Sequence, residues 1–177
     1  WGGNLCITPM RRGSIKFLFG LKGTYKKEKH DDSYDIMVAE LKAIQQDTLI
    51  SAITYNIDSP ESLSFGEGKI ENSPRLAGAQ YLVHLTVSGE ACGIPIIEQQ
   101  VVWTGKKLIK LPICISVGDA DRYSHDETFI FSNAKNSQTK QFIKRIEEYE
   151  KDEETGKEKR SIKKEYFIWT GDRFIKK

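Results

Sequence analysis

Gln100-Val101-Val102-Trp103-Thr104-Gly105-Lys106-Lys107-Leu108-Ile109-Lys110 decides the fold, because the chain meets it again as Tyr166-Phe167-Ile168-Trp169-Thr170-Gly171-Asp172-Arg173-Phe174-Ile175-Lys176. Trp-Thr-Gly opens the match in both copies and Ile-Lys closes it. A β-branched or aromatic run ends in tryptophan, a turn follows, and an apolar strand returns. Gly105 and Gly171 supply the positive φ that such a turn needs. The rings of Trp103 and Trp169 can bury a large apolar face over the hairpin. Stacking on a ligand is the alternative role for them, but the core-like residues around both favour the structural one.

Working outward, each copy follows another hairpin. Gln80–Val87 (QYLVHLTV) reads as a strand, Ser88-Gly89-Glu90 as a turn, and Ile96–Trp103 as the returning strand. In the second copy Gln141–Tyr149 and Arg160–Trp169 flank the turn signal Glu154-Thr155-Gly156-Lys157. Phe142, Ile143, Ile146 and Tyr149 are spaced as on a helix. A long charged hairpin accounts for both halves and is preferred. The result is two three-stranded meanders, at about 80–112 and 141–177, an internal repeat of the kind to look for first.

These Trp-Thr-Gly hairpins resemble the blades of secreted β-propellers with FG-GAP-type repeats. The last one, Trp169-Thr170-Gly171-Asp172-Arg173-Phe174, is similar to the W-x-G-x-x-F hairpin that ends small extracytoplasmic proteins of unknown function. The resemblance covers the last half of the chain. It implies a protein of the periplasm or the cell exterior. A full propeller of four-stranded blades needs more strands than the chain supplies. A twisted antiparallel sandwich, an open barrel or a partial propeller-like sheet is therefore expected.

The first half reads less cleanly. Trp1–Gly13 reads as an arm or loop, Ser14–Leu21 as a short apolar strand, and Lys22–Asp32 as a polar connection. Tyr34–Ala43 is preferred as a strand, with a helix as the alternative. Thr48–Ile57 alternates and is β-branched, hence a strand. Asp58–Ala79 carries prolines and glycines and reads as a long loop, which such length makes a functional candidate.

The chain has 177 residues, 38% hydrophobic and 29% charged, with a net charge of +2. This suits one globular domain, 1–177, with a sizeable core. No global field draws nucleic acid or an anionic membrane, and the basic pairs Arg11-Arg12 and Lys26-Lys27 lack interleaved aromatics. No run approaches the roughly 20 apolar residues of a membrane span. Charges from Lys140 to Lys164 alternate in blocks, as on a solvated surface. Cys6, Cys92 and Cys114 form no C-x-x-C pair. A Cys92–Cys114 bridge and three reduced thiols both stand open.

Chemistry-bearing residues are few. Asp119, Asp121, His125, Asp126 and Glu127 form the densest cluster of possible metal ligands. Asp119, Asp121 and Glu127 fall at positions one, three and nine of a calcium-type loop. Tyr123 and Ser124 stand where such a loop needs an oxygen ligand and a glycine. A polar connection with Asp119 bonding nearby amides is the competing reading. The histidines are His30, His84 and His125; none stands beside Cys92 in sequence, a triad would have to assemble across the fold, and no G-x-S-x-G, Walker or G-x-G-x-x-G motif occurs.

The expectation is a mainly β protein with little helix and no catalytic residue set. Its function is expected to be non-catalytic binding or assembly, extracytoplasmic, with a protein or glycan partner. The rival is a calcium-stabilised domain or metal-dependent hydrolase using Asp119, Asp121, His125 and Glu127. No cofactor is expected apart from that calcium ion.

Overall fold

A computed structural model describes residues 8–29, 32–58, 63–65, 68–72, 76–89, 95–119, 122–131 and 140–177. They form fourteen strands and no helix. The first sheet runs in chain order through β1 (Thr8–Arg12), β2 (Ile15–Lys29), β3 (Asp32–Gln45) and β4 (Thr48–Asp58), all antiparallel. Two-residue turns join β1 to β2 and β3 to β4. Gly13 takes positive φ at the first; Gln46 and Asp47 both take it at the second.

The second sheet holds the remaining ten. They are β5 (Leu63–Phe65), β6 (Lys69–Asn72), β7 (Tyr81–Gly89), β8 (Ile96–Trp103), β9 (Leu108–Lys110), β10 (Cys114–Asp119), β11 (Tyr123–Phe131), β12 (Gln141–Lys151), β13 (Glu158–Trp169) and β14 (Phe174–Lys176). Their path is β14-β13-β12-β11-β10-β8-β7-β5, with β6 on β7 and β9 on β8.

Alternation builds the first core. On β2, Ile15, Phe17 and Phe19 point inward, and Ala39, Leu41 and Ala43 of β3 lie opposite or beside them. They pack on Val83, Leu85 and Val87 of β7 and on Val101 and Trp103 of β8. Phe17 meets the Trp103 ring edge-on at 5.8 Å. The other face of β7 and β8 supplies Leu82 and Val102 to a second core with Phe142, Phe167 and Trp169. The ribbon β7–β8 is thus buried on both sides, and the sheet curls so that its β12–β14 end lies behind it. This is why Tyr81–Val87 reads as a nearly unbroken apolar run.

Both Trp-Thr-Gly copies form hairpins of one register, Trp103 opposite Leu108 and Trp169 opposite Phe174. Thr104 N–H donates to the Lys107 carbonyl at 3.1 Å and Thr170 N–H to that of Arg173 at 3.0 Å. Gly105 and Gly171 have φ of 89° and 99°. The tryptophans are 2% and 1% exposed, one in each core, and Trp169 Nε1 donates to the Ala77 carbonyl at 2.7 Å. Stacking on a ligand is closed to both rings.

Several expectations need correction. Within the arm read over 1–13, Thr8–Arg12 is β1, and the polar connection after residue 21 is the outer half of β2. The loop read over 58–79 contains β5 and β6. The described part of the acidic segment 119–127 is mostly strand: Asp119 ends β10, Arg122 N–H donates to its carbonyl, and His125 and Glu127 belong to β11. In each case a short or polar strand is held by a neighbour across the ladder, so no local apolar pattern announces it. Cys114 is a buried thiol, free in this structure; Cys6 and Cys92 lie outside the described residues, and the Cys92–Cys114 alternative lies there with them.

Candidate functional site

Three groups of residues could carry chemistry. The first surrounds His84, on the β7 face opposite Val83 and Leu85. Its Nδ1 lies 2.8 Å from Glu98 and its Nε2 3.2 Å from Glu71. Gln100 Nε2 also donates to Glu98 at 2.8 Å. The His84 contact, above all, holds the Glu98 carboxyl below its ordinary range, against the opposing effect of burial. Cys114 lies opposite Glu98 on β10. Burial drives its thiol up to about 12, which leaves no thiolate to act as a nucleophile near neutrality.

The second group holds the metal candidates. Glu127 Oε2 accepts the Ile115 N–H at 2.9 Å and pairs with Lys144 Nζ at 2.7 Å. Lys144 also donates to the Ile113 carbonyl at 2.8 Å. His125 stands 3.3 Å from Glu127 and 3.4 Å from Glu148. Asp119 pairs with Tyr123 at the far end of the same hairpin, while His125 pairs with Val117. The fold therefore brings His125 to Glu127 and adds Lys144, a cation that sequence spacing does not reveal. Asp121 lies outside the described residues. Among those described, no three His, Cys, Asp or Glu side chains are arranged to hold a metal ion.

The third group is a surface. On the outer face of β11–β14, Ile130, Ile143 and Tyr166 stand in direct cross-strand register, and Ile168 pairs with Ile175 one step further. Ile162 lies on the same face, two registers away. Ile162 is 59% exposed and Tyr166 48%. The twist of the strands makes a shallow groove beside Ile162, lined also by Asp126, Glu147, Tyr149 and Arg160. The sequence alone does not distinguish these isoleucines from core positions. Alternation along β13 shows that they oppose the buried Phe167 and Trp169, a clue available only once the strand is known.

No helix of the described residues is long and apolar enough to cross a membrane. No family model matches the chain, and no similar curated protein or solved structure was found.

Proposed function

We propose that this protein is a non-catalytic binding or assembly module that acts outside the cytoplasm and takes a protein partner on the outer face of β11–β14. The carrying observation is the uncovered line Ile130–Ile143–Tyr166, extended by Ile168 and Ile175. A contiguous apolar strip left in water is unfavourable, and such strips mark interaction sites. The strip contains one aromatic ring among isoleucines, which suits a protein better than a glycan, whose sugars stack on aromatic faces. The extracytoplasmic setting rests on the likeness of the Trp-Thr-Gly hairpins to those of secreted β-repeat proteins. The metal-dependent alternative is weaker, because Lys144 and the Ile115 N–H already hold Glu127 Oε2, and a cation on that carboxylate would lie close to the Lys144 ammonium.

A photo-crosslinking residue at position 130 or 166, introduced in the source cells, tests this reading. A discrete adduct is expected at both positions and none at Lys42 on the other sheet. Ile143→Glu, placed between the two, should abolish it. Absence of an adduct at both positions, or one that Ile143→Glu leaves unchanged, overturns the proposal.

A further inference from the structure

The edge of the same sheet points to the kind of partner. β13 is long, and β14 covers it only at Phe167–Trp169. On its other side β12 pairs with every residue from Glu158 to Ile168 without a register shift. Among the described residues, nothing pairs with the outer side of Glu158–Glu165, and Glu158–Lys164 are all exposed.

The direction of each backbone group follows from two hydrogen bonds. Trp169 N–H donates to Lys140, at the β12 side, while the Tyr166 carbonyl accepts from Lys177, at the β14 side. Backbone groups alternate sides along a strand. The N–H and C=O groups of Arg160, Ile162 and Lys164 therefore face outward with no strand to meet them. Such a row is a template for one more strand.

Charge selects the occupant. Lys159, Arg160, Lys163 and Lys164 line this stretch against Glu158 and Glu165. Glu158 already lies 3.8 Å from Arg160. Lys159 and Lys164 have no ion-pair partner among the described residues, and Lys163 reaches Glu165 only at 4.0 Å with its side chain 72% exposed. A second copy pairing edge to edge about Ile162 would set Arg160 opposite Lys164 in both halves, and like charges directly opposite destabilise a ladder. An acidic strand meets cations on both faces of the edge, and an apolar residue in it meets Ile162.

We propose that the open edge of β13, from Arg160 to Lys164, binds an acidic extended segment of a partner protein as an added β-strand. This rests on the binding-module reading above and names the chemistry of its partner.

The test uses the full chain and a fluorescent peptide of about nine residues, alternating glutamate and valine, with a lysine–valine peptide as control. The acidic peptide should bind and slow amide exchange at Arg160, Ile162 and Lys164, and the basic peptide should not bind. Ile162→Pro removes an outward N–H that pairs with nothing, a position where an edge strand tolerates proline. It should weaken binding at least about tenfold while leaving the tryptophan emission unchanged. The double variant Lys163→Glu/Lys164→Glu keeps every backbone group and should weaken binding as much. Acidic-peptide affinity unchanged in either variant overturns the proposal, as does no binding at all. If the peptide fails while adducts still form at positions 130 and 166, the edge proposal falls and the binding-module reading stands; if both fail, both fall.

Discussion

Cys114 is buried where β10 begins beside β8, near the charges of Lys144, Glu127 and Glu98. Burial dominates and raises its thiol from an ordinary 9.0 to about 12. Between those values the native protein keeps a proton that the unfolded chain has released. The free energy of unfolding should therefore fall as pH rises from 9.0 towards about 12. Denaturant titrations of the wild type and Cys114→Ala across that range check this: the wild type should lose stability more steeply, and parallel curves would refute it. At this scale the sequence was partly legible. The tryptophans and turn glycines could be placed from their neighbours, since a tight turn and its flanking strands are local. The ion pair of Glu127 with Lys144 could not, because the partners meet only when β11 and β12 align.

Among the elements, the β3–β4 hairpin carries an unfavourable turn. Gln46 and Asp47 both adopt positive φ, at 48° and 57°, which Asn-Gly suits far better. Gln46→Asn/Asp47→Gly should stabilise the protein by about 0.5–1 kcal/mol, read as a raised denaturation midpoint at constant slope. The Trp-Thr-Gly hairpin gives the converse case. At Gly171, with φ of 99°, a side chain is strained whatever the space, so Gly171→Ala should cost about 1–2 kcal/mol. Equal stability would show that the turn relaxes. β9 and β10 form a further element, a strand broken at Leu111-Pro112-Ile113. Gln99 bridges the break by donating to the carbonyls of Gln100 at 2.9 Å and Leu111 at 2.7 Å. A proline marks an interruption in any sequence, but nothing local identifies the glutamine that satisfies it.

Across the whole molecule, β7–β8 is shared by two cores, and the curl of the second sheet makes the sharing possible. The Glu127–Lys144 pair ties β11 and β12 to the start of β10 through Ile113 and Ile115. Removing one partner leaves a charge in a poor solvent. Lys144→Met or Glu127→Leu alone should cost about 3–5 kcal/mol, whereas the double variant should be markedly less harmful than either. A thermodynamic cycle of the four proteins measures this, and additive losses would exclude coupling. The same curl turns the isoleucine face and the basic edge of β13 outward, where the two proposals about binding are to be tested.

The sequence by itself determined that the chain is β, where most strands lie, and that the two Trp-Thr-Gly segments are turns. Those properties follow from alternation, β-branching and glycine placement, which act over a few residues. Tertiary structure alone decided which face of each strand is buried, and that β7–β8 is buried on both. It also turned polar segments such as Lys22–Lys29 and Tyr123–Glu127 into strands. Cross-strand partners far away in sequence supply their hydrogen bonds and counter-charges, and no local pattern encodes which partner arrives.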